Sequence, residues 1–359
     1  MPSLASQTLA AVESLLAEHS LPGVLLAVAR GRDEPVLSTV GTSADGCALG
    51  NDTLFPVASV TKLATALAVL RLCAGGQLEL DDPLAAHLPQ AAAAVDGVTL
   101  RTLLCHTAGL PDDLAPELAP YEYGLCWERL EEACLATGLV RAPRSRVTYS
   151  NVGFGLLALV VERCTLLPFA TALTGLVFDP LGIEGYLGVE PPRPPGRVAG
   201  KLGEHGGTDR EPFNSLFWRS LALPWAGVVT TAGGALALVR AFMAQPAVFL
   251  PPDLQVAAIS DQAGGLAGGF TGYMEWQPCP WGLGPELLGT KSPHMVPASA
   301  SPASFGHSGY SGCLAWADPL AAGGDGIAWV ILGGPRYARS WHTFWQPMGK
   351  LLTTSVAAL

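Results

Sequence analysis

The chain has 359 residues, 49% of them hydrophobic and 14% charged, which is enough apolar material for one large domain or two closely joined ones. A formal net charge of −10, with no run of lysine or arginine, excludes the clustered basic surface that a nucleic-acid partner requires. Eight scattered cysteines, with no C-x-x-C pair among them, are expected to be free and buried thiols, in keeping with a reducing, cytoplasmic compartment.

Ala5, Leu9, Val12 and Leu16 recur at helical spacing and predict an amphipathic helix packed on a body. Glu13, Glu18 and His19 interrupt that stretch and no Lys or Arg precedes them, so it does not read as a secretory signal. No run approaches the ~20 apolar residues of a bilayer span, and a soluble protein without a membrane partner is expected. Gly23 opens a strand over Val24 to Ala29, and Gly31-Arg32-Asp33 turns the chain into a second strand, Pro35 to Val40. Ser59 to Cys73 reads as a buried helix, filled by Leu63, Leu67, Val69 and Leu70 and stopped at Gly75-Gly76.

From about residue 77 to 225 strand signals nearly vanish, and helical patterns occupy Thr99 to Cys105, Trp127 to Thr137 and Val152 to Cys164. The Pro- and Gly-rich stretch Glu190 to Arg210 is expected to be a surface loop and a lip of the site. Beyond Gly227 come a helix of Ala235 to Met243 and short strands around Trp281-Gly282-Leu283-Gly284, Cys313 to Ala317 and Ile327 to Leu332. A second covering helix, Trp341 to Ala357, closes the chain. This order predicts an α+β fold in which residues 1–76 and 226–359 form the body and residues 77–225 an inserted, mainly helical domain.

Three short motifs carry chemistry. Ser59 and Lys62 stand three apart on one helix face. A serine hydroxyl attacks a carbonyl only if something takes its proton. A lysine can do so when desolvation keeps it neutral, and the apolar flanks Phe55-Pro56-Val57-Ala58 and Leu63-Ala64 supply that desolvation. The chain has only four lysines, and an idle one in so apolar a helix is the weaker reading. Tyr149-Ser150-Asn151 precedes a helix; beside lysines the phenol can ionise and shuttle a proton. Alone, it also fits a core tyrosine and a helix-capping asparagine. His307-Ser308-Gly309, followed by Tyr310, suits a glycine-bearing sheet edge whose amides form half of an oxyanion hole, or simply a turn between strands.

In this order the three motifs resemble the serine β-lactamase/penicillin-binding-protein superfamily, class C-like and closest in pattern to the family VIII carboxylesterases. Leu54 to Lys62, Leu103 to Leu110, Pro180 to Ile183, Gly227 to Ala232 and Trp281 to Gly284 are similar to further landmarks of that family. The resemblance implies an antiparallel sheet flanked by the terminal helices, an all-α insertion and a site between them. It implies that Ser59 is acylated, that Lys62 and Tyr149 move protons, and that the backbone N–H groups of Ser59 and Tyr310 hold the oxyanion. Asn151 would bind the acyl side and His307 would sit near the leaving group or a substrate carboxylate, with Ser308 and Gly309 beside it. His106 would shape a turn of the helical region. No metal and no organic cofactor is implied.

β-Lactamases and transpeptidases of this type usually carry Lys where this chain has His307. Histidine is only partly charged near neutral pH, which weakens the anchoring of an anionic β-lactam. The expected activity is therefore that of a carboxylesterase of small acyl esters. A β-lactamase, a D-amino-acid-specific peptidase or amidase, and a non-catalytic scaffold or binding relative are the alternatives. The α/β-hydrolase signature G-x-S-x-G is absent, since Gly306-His307-Ser308-Gly309-Tyr310 fails at its last position. The expected partner is a small-molecule ester or amide, and nothing in the sequence fixes the oligomeric state.

Overall fold

A computed structural model describes residues 4–188, 190–243, 249–335 and 340–357. Its centre is a six-stranded antiparallel sheet made of Gly23–Arg30 (β1), Val36–Gly41 (β2), Glu286–Leu287 (β3), Phe305–Gly309 (β4), Cys313–Asp318 (β5) and Ile327–Leu332 (β6). The strand order is β2-β1-β6-β5-β4-β3, so the two ends of the chain meet in the middle, with Leu25 opposite Leu332. β1 and β6 are apolar throughout because both of their faces are covered. Leu25, Ala27 and Ala29 enter one core, whereas Val24, Leu26 and Val28 enter the other.

The second of these cores lies under the terminal helices. Val12 and Leu16 of Ser6–Glu18 and Met348, Leu352 and Val356 of Gln346–Ala357 pack with Trp329 and Ile331 of β6. On the opposite face Ala232–Arg240 sends Ala235, Leu236, Leu238 and Val239 into the larger core, together with almost every side chain of Thr61–Ala74. Thr61–Ala74 packs in turn on Asn151–Thr165, which is buried from Val152 to Val161. Among the described residues no single helix is long and apolar enough to cross a membrane.

Several boundaries differ from expectation. Ser59 belongs to a 3-10 turn, Ala58–Val60, and the α-helix starts at Thr61. Asn151 is the first residue of its helix, because Ser150 is the cap and accepts a hydrogen bond from the Gly153 N–H. Trp281 to Gly284 is not a strand: Trp281 makes one bridge to Glu286, and Gly284, at φ +108°, lies so close to Ala66 that a Cβ would come within 2.3 Å. The strand begins only at Glu286. The closing helix opens with a π-helical turn, Trp341–Trp345. All eight cysteines are unpaired, yet Cys47 and Cys126 are exposed rather than buried.

Candidate active site

The approach to Ser59 is pinned on both sides. Phe55–Pro56 pairs with Val229–Thr230, and the Val57 N–H donates to the Val228 carbonyl at 3.0 Å. Ala58 then takes φ +47°, a left-handed conformation costly for a residue with a Cβ, and this reverses the chain at Ser59. β4 lies directly against the same turn. A Cβ on Gly309 would come 2.3 Å from the Val57 carbonyl oxygen, so only glycine permits the approach. The segments carrying the Ser59 and Tyr310 backbone N–H groups therefore meet at this point.

Lys62 is fully buried one turn below. Its Nζ lies 2.7 Å from Asn151 Oδ1, 3.1 Å from the Trp225 carbonyl oxygen and 3.4 Å from Ser59 Oγ. Burial drives its pKa well below the usual lysine value, with the Asp113 carboxylate pulling weakly the other way. Asn151 Nδ2 donates to Asp113 Oδ2 at 3.1 Å, which fixes the amide with its oxygen toward the lysine. Sequence reading overlooked Asp113, although it directly follows the Gly109-Leu110-Pro111-Asp112 turn.

His106 shapes the turn that presents Tyr149. At φ +59° and fully buried, its Nδ1 accepts the Ser150 N–H at 3.0 Å while its carbonyl accepts the Thr148 N–H at 2.8 Å. The Tyr149 ring is held by His106 at 4.7 Å and Phe270 at 4.6 Å between centroids, and its centroid lies 4.6 Å from Lys62 Nζ. Burial pushes the Tyr149 phenol far up, and the Ser59 hydroxyl beside it only partly offsets this. The expected phenolate is thus not supported: burial disfavours the phenolate anion, and it disfavours charge on the adjacent Lys62 amine as well.

His307 also departs from expectation. Its side chain is buried, its Nδ1–H donates to the Ser308 carbonyl at 2.6 Å, and its ring stands 5.7 Å from Tyr149. Burial pushes its pKa down to about 4, so at neutral pH it does not supply partial charge to a carboxylate. Tyr149 Oη and His307 Nε2 are both buried without a hydrogen-bond partner among the described residues. Behind them, Lys291 Nζ pairs with Glu286 Oε1 at 2.8 Å, His294 Nε2 lies 3.3 Å from the same oxygen, and Lys291 stands 4.8 Å over the Trp281 ring. Burial alone would raise the Glu286 carboxyl, but Lys291 and His294 hold it far below its ordinary range.

Ser59, Tyr149, Ser308, Gly309 and Tyr310 open onto one cavity of about 410 Å³. Its apolar walls, Phe270, Met274, Met295 and Trp345, come from stretches that sequence reading did not connect with the site. Trp225 and Trp281 are core residues, and Trp218 stacks on Tyr121. The loop of 190–210 does not form a lip, since it is tied instead to residues 44, 54 and 211–214. Among the described residues no cluster of His, Cys, Asp or Glu could hold a metal ion.

The sheet order, with a serine beside a buried lysine at its edge, is that of a serine-hydrolase scaffold. The Beta-lactamase family model matches residues 9–333, and the chain belongs to that family. Esterase EstB of Burkholderia gladioli is 32% identical over 92% of this chain and 87% of its own length. Penicillin-binding protein 4 of Amycolatopsis lactamdurans is also 32% identical, but the match spans 64% of this chain and 61% of that protein. A solved β-lactamase structure from Mycobacterium bovis superposes with a TM-score of 0.66 at 26% identity, covering 97% of this chain and 99% of the other.

Proposed function

We propose that the protein is a carboxylesterase that works through an acyl-enzyme on Ser59. The observation that carries this reading is the set of partners around Lys62. A neutral amine has two N–H groups and one lone pair. Its two shorter contacts, Asn151 Oδ1 and the Trp225 carbonyl, are oxygens that only accept. The third, Ser59 Oγ, lies 3.4 Å away, where the lone pair of a neutral amine is placed to accept its proton. Lys62 takes that proton as Ser59 Oγ attacks the ester carbonyl.

The tetrahedral oxyanion is held by the N–H groups of Ser59 and Tyr310. As the intermediate collapses, the departing alkoxide receives a proton from the Tyr149 hydroxyl, which is replenished from Lys62. Water then releases the acyl group by the reverse relay. Asn151 orients Lys62 and the acyl side of the substrate; Ser308 and Gly309 form the strand edge along it. His307 acts as a neutral neighbour of Tyr149 rather than as an anion anchor. That neutrality, with the likeness to Esterase EstB, favours an uncharged ester over an anionic β-lactam. The eight unpaired cysteines suit a reducing, cytoplasmic setting.

The test is hydrolysis of p-nitrophenyl butyrate and of nitrocefin side by side, with fluorophosphonate labelling of the wild type and Ser59→Ala. Fast ester cleavage, slow nitrocefin turnover and labelling lost in Ser59→Ala are expected. Efficient nitrocefin turnover would make β-lactamase the better description. Labelling that survives Ser59→Ala would remove the nucleophile assignment.

A further inference from the structure

The cavity at Ser59 has a composition that selects among esters. Met274, Met295 and Phe270 line it with Trp345 and Pro335, and Tyr149, Tyr273 and Tyr310 are its other aromatic members, the last two more than half exposed. Among the described residues that line it, none carries a formal charge. The acidic hydrogens of two lining residues stay in place, because burial pushes the Cys313 thiol up to about 12 and the Tyr149 phenol higher still. A carboxylate or ammonium group entering the cavity would lose its hydration without gaining a counter-ion from the described residues that line it.

Size points the same way. An apolar cavity of about 150 Å³ admits benzene. A chamber of about 410 Å³ therefore takes a ring with several further carbons, or a medium-length alkyl chain. Two methionines in the wall give it unbranched, polarisable surfaces that adapt to either shape.

We propose that this chamber receives a bulky, uncharged apolar group of the substrate, alkyl or aromatic, and that Met274 and Met295 set how large that group can be. The proposal rests on the reading of Ser59 as the attacking residue, since the chamber opens beside it. The group lies on the acyl side or the alcohol side of the scissile bond, and the chemistry required of it is the same in both cases.

Two matched series test this. In the first the alcohol is fixed: p-nitrophenyl acetate, butyrate and octanoate, and the mono-p-nitrophenyl ester of suberic acid, which has the length of octanoate and ends in a carboxylate. In the second the acyl group is fixed: ethyl and octyl butyrate, and 7-carboxyheptyl butyrate. In the series that occupies the chamber, kcat/KM should rise at least about tenfold toward the longest chain, given about fourfold per buried methylene. The carboxylate-ended compound should fall about 100-fold below its neutral partner. Met295→Trp should lower the ratio of long-chain to short-chain kcat/KM at least about fivefold. A flat profile in both series, or equal turnover of the carboxylate-ended compound, overturns the proposal.

Calorimetry on Ser59→Ala separates this from failure of the esterase reading. If no ester is cleaved but the variant binds octyl butyrate in preference to 7-carboxyheptyl butyrate, the chamber stands and the esterase reading falls. If neither compound binds and no ester is cleaved, both fall.

Discussion

Asn151 faces Lys62 with its oxygen and Asp113 with its nitrogen: Oδ1 accepts from Lys62 Nζ at 2.7 Å, and Nδ2 donates to Asp113 Oδ2 at 3.1 Å. One amide thus joins a buried amine to a carboxylate without putting the two groups in contact. Burial holds the Lys62 pKa well below its ordinary value, and the amine stays oriented because the dipoles around it are held from behind.

This lowering has a stability signature. Lys62 has a folded-state pKa well below its ordinary 10.5, so between those values the unfolded chain carries a proton that the folded chain lacks. Stability must then rise with pH across that window and level off near 10.5, at up to about 1.4 kcal/mol per pH unit. Lys62→Met removes this slope along with most of the activity. Urea titrations of both proteins from pH 7 to pH 10 should show the wild type gaining on the variant; parallel curves would mean Lys62 is charged in the fold.

His307 has the same sign in a different window. Its pKa of about 4 lies below the histidine value of 6.5, so its contribution is complete above pH 6.5 and is lost as pH falls toward 4. The loss amounts to roughly 3 kcal/mol. His106, also driven down by burial, adds to the wild-type slope but stays in a His307→Gln variant. The difference between the two proteins isolates His307. A difference that does not change from pH 6.5 to pH 4.5 would show that its ring is protonated in the fold or solvated.

What the sequence revealed and what it hid divide along physical lines. The β1, β5 and β6 runs were legible because strands covered on both faces must be apolar throughout, and Ser59 and Lys62 because helical spacing puts them on one face. Trp281 to Gly284 misled because tryptophan and leucine favour strands, while the close approach to Ala66 that forces Gly284 to φ +108° is a tertiary fact. The charge states of Tyr149 and His307 were likewise hidden. Both depend on how deeply the rings are buried, and burial is not local in sequence. The cavity wall was the least legible part, since the Phe270/Met274 hairpin, Met295 and Trp345 come from three separate stretches of the chain.

The Gly309 contact gives a steric prediction. An added Cβ would stand 2.3 Å from the Val57 carbonyl oxygen and 3.2 Å from the Ala58 Cβ, so Gly309→Ala must push β4 away from the Ser59 turn. A cost of about 1–3 kcal/mol in stability is expected, with a drop in kcat/KM on the order of 100-fold from the displaced N–H groups. Gly138→Ala, where nothing lies within 4 Å of the new atom, is the control and should leave both unchanged. Full activity in Gly309→Ala would mean that β4 and the Ser59 turn need not touch.

Asp113 allows charge and orientation to be separated. Its carboxylate raises the pKa of Lys62, against the larger lowering by burial. Asp113→Asn removes that charge but keeps an oxygen to accept from Asn151 Nδ2. Lys62 should then lose its proton more readily, and the acid limb of the kcat/KM profile should move to lower pH, with the plateau kept within a few fold. Asp113→Ala also removes the acceptor, so the Asn151 amide can rotate and present Nδ2 to the lysine. The lone pair of Lys62 would then be taken by Asn151 instead of Ser59, and the plateau should fall by a further tenfold or so, the loss of one oriented hydrogen bond. An acid limb that stays in place in Asp113→Asn would uncouple the charge from Lys62. Equal plateaus in the two variants would show that the orientation of Asn151 is maintained without Asp113.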